Sequence, residues 1–118
     1  MSFHVERFTH AWLPEVLDGI SVAVTVFDLQ GTMLYYNEYA PRLLDRNPGL
    51  LGKDIRLCHK KPVSNTRIDG MIDEFKKGRR EPVLYEARPY GKALLITVSP
   101  LVIDGRLVGC IHAAVPKP

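Results

Sequence analysis

The stretch around Thr25 to Lys53 leaves this chain few architectures. It opens with an apolar run, Val22 to Phe27, and meets a turn at Asp28-Leu29-Gln30-Gly31. A second β-prone run, Thr32 to Tyr36, follows at once. Two such runs joined by a few residues ending in glycine predict a β-hairpin. Asn37 stops the second strand and can cap what comes next. Tyr39, Ala40, Leu43 and Leu44 then share one helical face, and Gly49 and Gly52 end the pattern. Pro41 has no N–H for the Asn37 carbonyl, so the first turn there is irregular or the helix starts nearer Tyr39.

The rest of the chain supplies the other layers. Val5, Phe8, Trp12 and Val16 recur at spacings of three and four, predicting an amphipathic helix over about residues 4–17. Pro14 kinks or splits it, and Gly19 ends it. The first strand, Ile20 to Phe27, is apolar on both faces, as a covered central strand should be. From Asp45 to Pro62 no period is sustained, and Arg46-Asn47-Pro48-Gly49 is turn chemistry. Ile68, Met71, Ile72 and Phe75 then form a helical stripe, with Ser64 or Asn65 as its cap and Gly78 as its end. Gly70 in its middle either admits a close neighbour or faces solvent. Three strands follow: Pro82 to Arg88, Lys92 to Leu101 and Leu107 to Val115. Their turns hold Tyr90-Gly91 and Asp104-Gly105, and Asp-Gly is the stronger hairpin signal. The expected class is therefore α+β: a five-stranded antiparallel sheet with helices on one face, preceded by an N-terminal amphipathic helix.

These features resemble a PAS domain. The likeness rests on the Asp28/Gly31 turn, Tyr36-Asn37 at the end of the second strand, Ala40 in the short helix, and Leu51-Gly52-Lys53. It covers about residues 19 to 115, and it implies residues 1–18 as a leading helix and 19–118 as the core. A Cys-His pair followed by proline, then a Phe-x-x-Gly element, also resembles a PAS subtype found in bacterial proteins with hemerythrin-like iron domains. In this chain these are Cys58-His59, Pro62 and Phe75-Lys76-Lys77-Gly78; Lys60-Lys61 stands where that subtype more often has proline. The resemblance implies a bacterial sensory or regulatory module that binds a small molecule between sheet and helices. It also implies a homodimer through the N-terminal helix and the open sheet face, which helices of the core leave uncovered. Light-sensing members carry Asn-Cys-Arg-Phe before the long helix and a glutamine in the last strand; this chain has neither.

Chemistry narrows the guest. Cys58-His59 sets a soft thiol beside an imidazole, followed by two lysines whose charge would lower the thiol pKa if they stand near it. Three readings stay open: a packed Cys58 with His59 holding a loop; haem ligation by His59; or a polar entrance for a small organic carboxylate, with Arg56, Lys60 and Lys61 near. Without Cys-x-x-Cys-His, covalent haem is excluded. Cys110 and His112 lie two apart on one face of the last strand. Adjacent Cys-His is awkward for one tetrahedral ion, so no metal site is expected apart from His59 if haem binds. The ligand-binding set is Tyr36, Arg56, Cys58, His59, Met71 and Phe75. A ligand-free dimerisation module, with a filled core, is the alternative from another class.

Composition excludes several other roles. At 118 residues and net charge +3 the chain is one domain with a mild basic bias. Lys76, Lys77, Arg79 and Arg80 cluster, but no groove-reading helix or stacking aromatics accompany them, so no nucleic-acid partner is expected. No apolar run approaches the ~20 residues that cross a bilayer. The opening MSFHVERFTH lacks the apolar core of a signal peptide, and the expected location is cytoplasmic. With no Gly-x-Ser-x-Gly, P-loop or dinucleotide fingerprint, no enzyme activity is expected.

Overall fold

The computed structural model describes residues 8–58 and 62–118, with side chains described for all of these except 57, 58 and 62–65. Its elements are helix α1 (Leu13–Gly19), strands β1 (Ala23–Asp28) and β2 (Met33–Tyr36), helix α2 (Pro62–Lys76), and strands β3 (Val83–Ala87), β4 (Leu94–Ile103) and β5 (Arg106–Pro116). The five strands form one antiparallel sheet in the order β2-β1-β5-β4-β3. Between β2 and α2 lie single 3-10 turns at Ala40–Arg42, Pro48–Leu50 and Ile55–Cys58. The five-stranded sheet with helices is the one expected. No described helix is long and apolar enough to cross a membrane.

Burial alternates along the strands and defines an inner face. Ala23, Thr25 and Phe27 of β1 sit opposite Ala114, His112 and Cys110 of β5, and all six are buried. Ile96 and Val98 of β4 continue the face beside Ala114 and His112. Against it lies the predicted α2 stripe: Ile68, Met71, Ile72 and Phe75 are all buried in the same cluster. Phe75 is fully enclosed, and burying such a side chain contributes about 2–3 kcal/mol.

Turn chemistry acts where the sequence places it. Asp28 Oδ1 accepts from the N–H of Gln30 and of Thr32, each at 2.9 Å, while Gly31 takes φ +87°. Asp104 (φ 51°) and Gly105 (φ 77°) close the β4–β5 hairpin directly between paired Ile103 and Arg106. The Leu51-Gly52-Lys53 motif also has a physical role. Gly52 N–H donates to the Met33 carbonyl and Met33 N–H to the Lys53 carbonyl, both at 2.8 Å, so this segment covers the outer edge of β2.

Several boundaries differ from expectation. The N-terminal helix begins later: residues 1–7, and Val5 with them, lie outside the described residues, Phe8 and Thr9 are not helical, and a 3-10 turn at His10–Trp12 precedes α1. Pro14 cannot bond the His10 carbonyl, and Leu13 N–H takes it instead, splitting the helix. Helix α2 begins at Pro62, so Ser64 and Asn65 lie inside it; proline suits a first helical turn. Gly70 faces open space. Strand β1 begins at Ala23 rather than Ile20 because the Val22 carbonyl and Val24 N–H are taken by the side chain of Asn37, at 2.8 and 2.9 Å. The same fully buried amide donates to the Leu17 carbonyl at 2.7 Å.

Two substitutions test this framework. Asn37→Ala strands a buried N–H and two carbonyls, and a loss of about 2–4 kcal/mol is expected in urea unfolding. A Cβ on Gly109 would meet the Phe27 carbonyl oxygen at 2.3 Å, so Gly109→Ala should cost about 1–3 kcal/mol by forcing β5 from β1. An unchanged urea midpoint would show that the amide does not anchor the hairpin, or that the β1–β5 seam tolerates a methyl group.

Candidate functional site

The inner face is apolar except at one place. In the middle of it Thr25 and His112 sit side by side across β1 and β5, with fractional exposures of 0% and 6%. Arg46 reaches this point from the segment after the first 3-10 turn and is itself buried, being 6% exposed. Its Nε donates to Thr25 Oγ1 at 3.0 Å, and its Nη1 donates to the Asp45 carbonyl at 3.0 Å. Tyr36 pairs with Thr25 on the other side and packs against the core.

A second arginine approaches from α2. The guanidinium of Arg67 stands 4.2 Å over the ring centre of Tyr85, an inner-face residue of β3. Burial pushes the Tyr85 phenol above its ordinary pKa, while Arg67 and then Arg46 pull the other way. Both cations thus act on the same hydroxyl. Arg46 does so from the buried side, whereas Arg67 is solvent-exposed.

A groove of about 430 Å³ is lined in part by Asp45, the residue before Arg46. Leu43, Leu44 and Leu94 give it apolar walls, and Arg42, Tyr90 and Lys92 stand at its polar parts. The Tyr90 hydroxyl accepts from the Asp45 N–H at 2.7 Å, joining the β3–β4 turn to the residue before Arg46.

The six residues expected to bind ligand are not all brought together. Tyr36, Met71 and Phe75 meet at the inner face. Arg56 does not join them: its Nη1 bonds Asp54 at 2.9 Å and the Gln30 carbonyl at 3.1 Å, and its Nη2 bonds Asp69. It braces the first hairpin against α2, and its closeness to Gly31 leaves no room for a Cβ there. Cys58 ends a 3-10 turn with its side chain outside the described residues; His59, Lys60 and Lys61 lie outside them altogether. Thr25, Arg46, Arg67 and Tyr85 were not among the expected set. Their sequence signal is thin: Thr25 and His112 are polar interruptions in otherwise apolar central strands, whereas Arg46 reads only as turn.

The basic cluster finds local uses. Arg79 donates to the carbonyls of Glu81 and Pro82, and Arg80 to those of Phe75 and Arg79. Lys77 pairs with Asp73 at 3.0 Å. These cations tie off the end of α2.

A PAS domain family model matches residues 13–114. The chain belongs to the PAS domain family. PAS domains are in general sensory and regulatory modules rather than enzymes. Among solved structures, the chain is similar to a C-terminal domain from Streptococcus mutans, at 18% identity over 98% of this chain and 90% of that one, TM-score 0.75. The PAS domain of BvgS from Bordetella pertussis matches at 19% identity over 92% and 85%, TM-score 0.72. The PAS domain of the histidine kinase ThkA matches at 18% over 80% and 98%, TM-score 0.63. At these identities the likeness is one of fold. Nothing matches among curated proteins.

One expected outcome concerns Cys110, which is fully buried on the inner face of this PAS domain. Burial pushes its thiol up from 9.0 to about 11. The folded state thus holds the proton more tightly than the unfolded state does. Its contribution is complete below pH 9 and is lost as pH climbs from 9 through 11, by up to about 3 kcal/mol. Urea midpoints should fall across that window, and Cys110→Ala should flatten the fall. An equally steep alkaline limb in the variant would assign the loss elsewhere.

Proposed function

We propose that this PAS domain is a sensory or regulatory module that takes a small molecule between the inner sheet face and α2, and signals through a homodimer contact. The observation that carries the reading is the polar group of Thr25, Arg46 and His112 in an otherwise apolar interior. Buried polarity is costly unless it has a use, and a pocket with a few convergent polar groups is the usual form of a ligand site. Tyr36, Met71 and Phe75 would line it. Cys58 and His59 would stand at its margin, with His59 the iron ligand if the guest is haem.

The dimer proposal rests on two apolar surfaces. Phe8, Trp12, Leu13 and Val16 are each 38–44% exposed, and Phe8 and Trp12 meet edge to face at 5.8 Å. The outer sheet face carries a groove of about 530 Å³, lined in part by Val22, Leu84, Leu95, Ala113 and Val115. Both surfaces belong to one chain, so a two-fold exchange with a second copy covers both at once. The same surfaces favour a second reading, a dimerisation module that binds nothing.

Native mass spectrometry of the purified chain separates these readings. A dimer carrying a bound small molecule is the expected result. A dimer without one, whose visible spectrum also stays blank on haemin titration, leaves only the dimerisation module; a Soret band moves the assignment to haem. Leu84→Glu, at a side chain 71% exposed, should yield a folded monomer by light scattering. A dimer that persists in that variant removes the outer face from the contact.

A further inference from the structure

We infer that the groove between residues 41–45 and the β3–β4 turn is a binding site for a small zwitterion with an apolar body, the class of the free apolar α-amino acids. The site goes beyond the sensory reading above. None of Thr25, Tyr36, Met71, Phe75 or His112 lines it, so either assignment can fail alone.

Two segments distant in sequence build the walls. The 3-10 turn at Ala40–Arg42 sets one of them: the N–H groups of Leu43 and Leu44 both donate to the Ala40 carbonyl, at 3.1 and 3.0 Å. Leu43 and Leu44 pack against the core, while Arg42 and Asp45 stay exposed. On the other wall the turn glycine Gly91 (φ +84°) precedes an exposed Lys92, and Leu94 two residues on is buried. The segments are joined, in part by the Asp45 N–H to the Tyr90 hydroxyl at 2.7 Å, so the groove needs little rearrangement to take a guest. Its volume of about 430 Å³ lies in the range of small-molecule sites, roughly 300–1,000 Å³.

The charges of the groove select the guest. Arg42 lies over the Tyr39 ring, 5.2 Å from its centre, a contact that steers the guanidinium without neutralising it. Among the described residues no ion pair joins Arg42, Asp45 or Lys92 to an opposite charge. One groove thus offers two open cations, one open carboxylate and the apolar walls of Leu43, Leu44 and Leu94. A simple anion gains the cations but meets Asp45. A simple cation gains Asp45 but meets Arg42 and Lys92. A neutral apolar guest covers all three charges and pairs none, which is costly. A carboxylate and an ammonium on one carbon answer both signs, the planar fork of Arg42 suits the two carboxylate oxygens, and the guest's side chain covers the leucines.

Calorimetric titration of the whole chain with leucine and phenylalanine, beside N-acetylleucine and leucinamide, tests the assignment. Each cap removes one charge. The free amino acids should bind, and each capped form should bind about 10-fold or more weakly. Asp45→Asn should weaken leucine and remove the discrimination against N-acetylleucine; Arg42→Gln combined with Lys92→Gln should do the same for leucinamide. Arg106→Gln, outside the groove, should bind leucine as the parent does. In the unsubstituted chain, backbone amide resonances of residues 42–45 and 92–94 should move on adding leucine. Failure of both amino acids to bind, equal binding of free and capped forms, or shifts confined to α2 and the inner sheet face each overturns the assignment. If neither amino acid binds while native mass spectrometry shows another bound small molecule, the zwitterion falls and the sensory reading stands.

Discussion

The side-chain amide of Asn37 is the interaction on which the rest depends. It is fully buried, and it answers the Val24 N–H and the carbonyls of Val22 and Leu17 with both ends of one rigid plane. Three separate pieces of chain meet there: the end of α1, the start of β1 and the end of β2. In a low-dielectric interior each of these bonds is strong and each broken one is expensive. Tyr36, the neighbour of Asn37, pairs with Thr25, which holds Arg46. A displacement at Arg46 therefore has a short path, through Thr25 and Tyr36, to the amide that anchors α1.

Charge and burial are sorted with unusual consistency around that path. The ion pairs of Lys77, Arg79 and Lys117 lie toward solvent, where each contributes about 0–1 kcal/mol, so they set local geometry more than stability. Cohesion comes from the layer of Phe27, Met33, Met71 and Phe75 between sheet and α2. A guanidinium beside that layer, as at Arg46, is tolerated because it is hydrogen-bonded, to Thr25 and to the Asp45 carbonyl among others.

Much of the architecture was readable because it rests on short-range rules. The α2 stripe, the Asp28/Gly31 turn and the Asp104-Gly105 hairpin depend on residue spacing and backbone conformations that sequence displays directly. What was hidden depends on contacts between distant segments. Strand β1 starts three residues late because Asn37, far along the chain, takes its first bonding groups. Arg56 looked like a ligand cation because one of its acidic partners, Asp69, comes beside it only once α2 is docked. Arg46 looked like surface turn because nothing in its neighbourhood tells that it folds inward. The Cys58-His59 pair drew attention by its chemistry, whereas the polar centre of the interior is announced only by Thr25 and His112 breaking two apolar runs.

The seam between β1 and β5 has a consequence for how the molecule comes into being. Gly109 lies so near the Phe27 carbonyl that no other residue fits, and β1 finds its second neighbour only in the last strand. On the ribosome, then, the hairpin emerges early and waits with one bare edge while most of the chain is still to be made. Such late, long-range closure folds slowly and exposes a sticky edge meanwhile. For this topology the hazard lies in synthesis, before any signal is ever sensed.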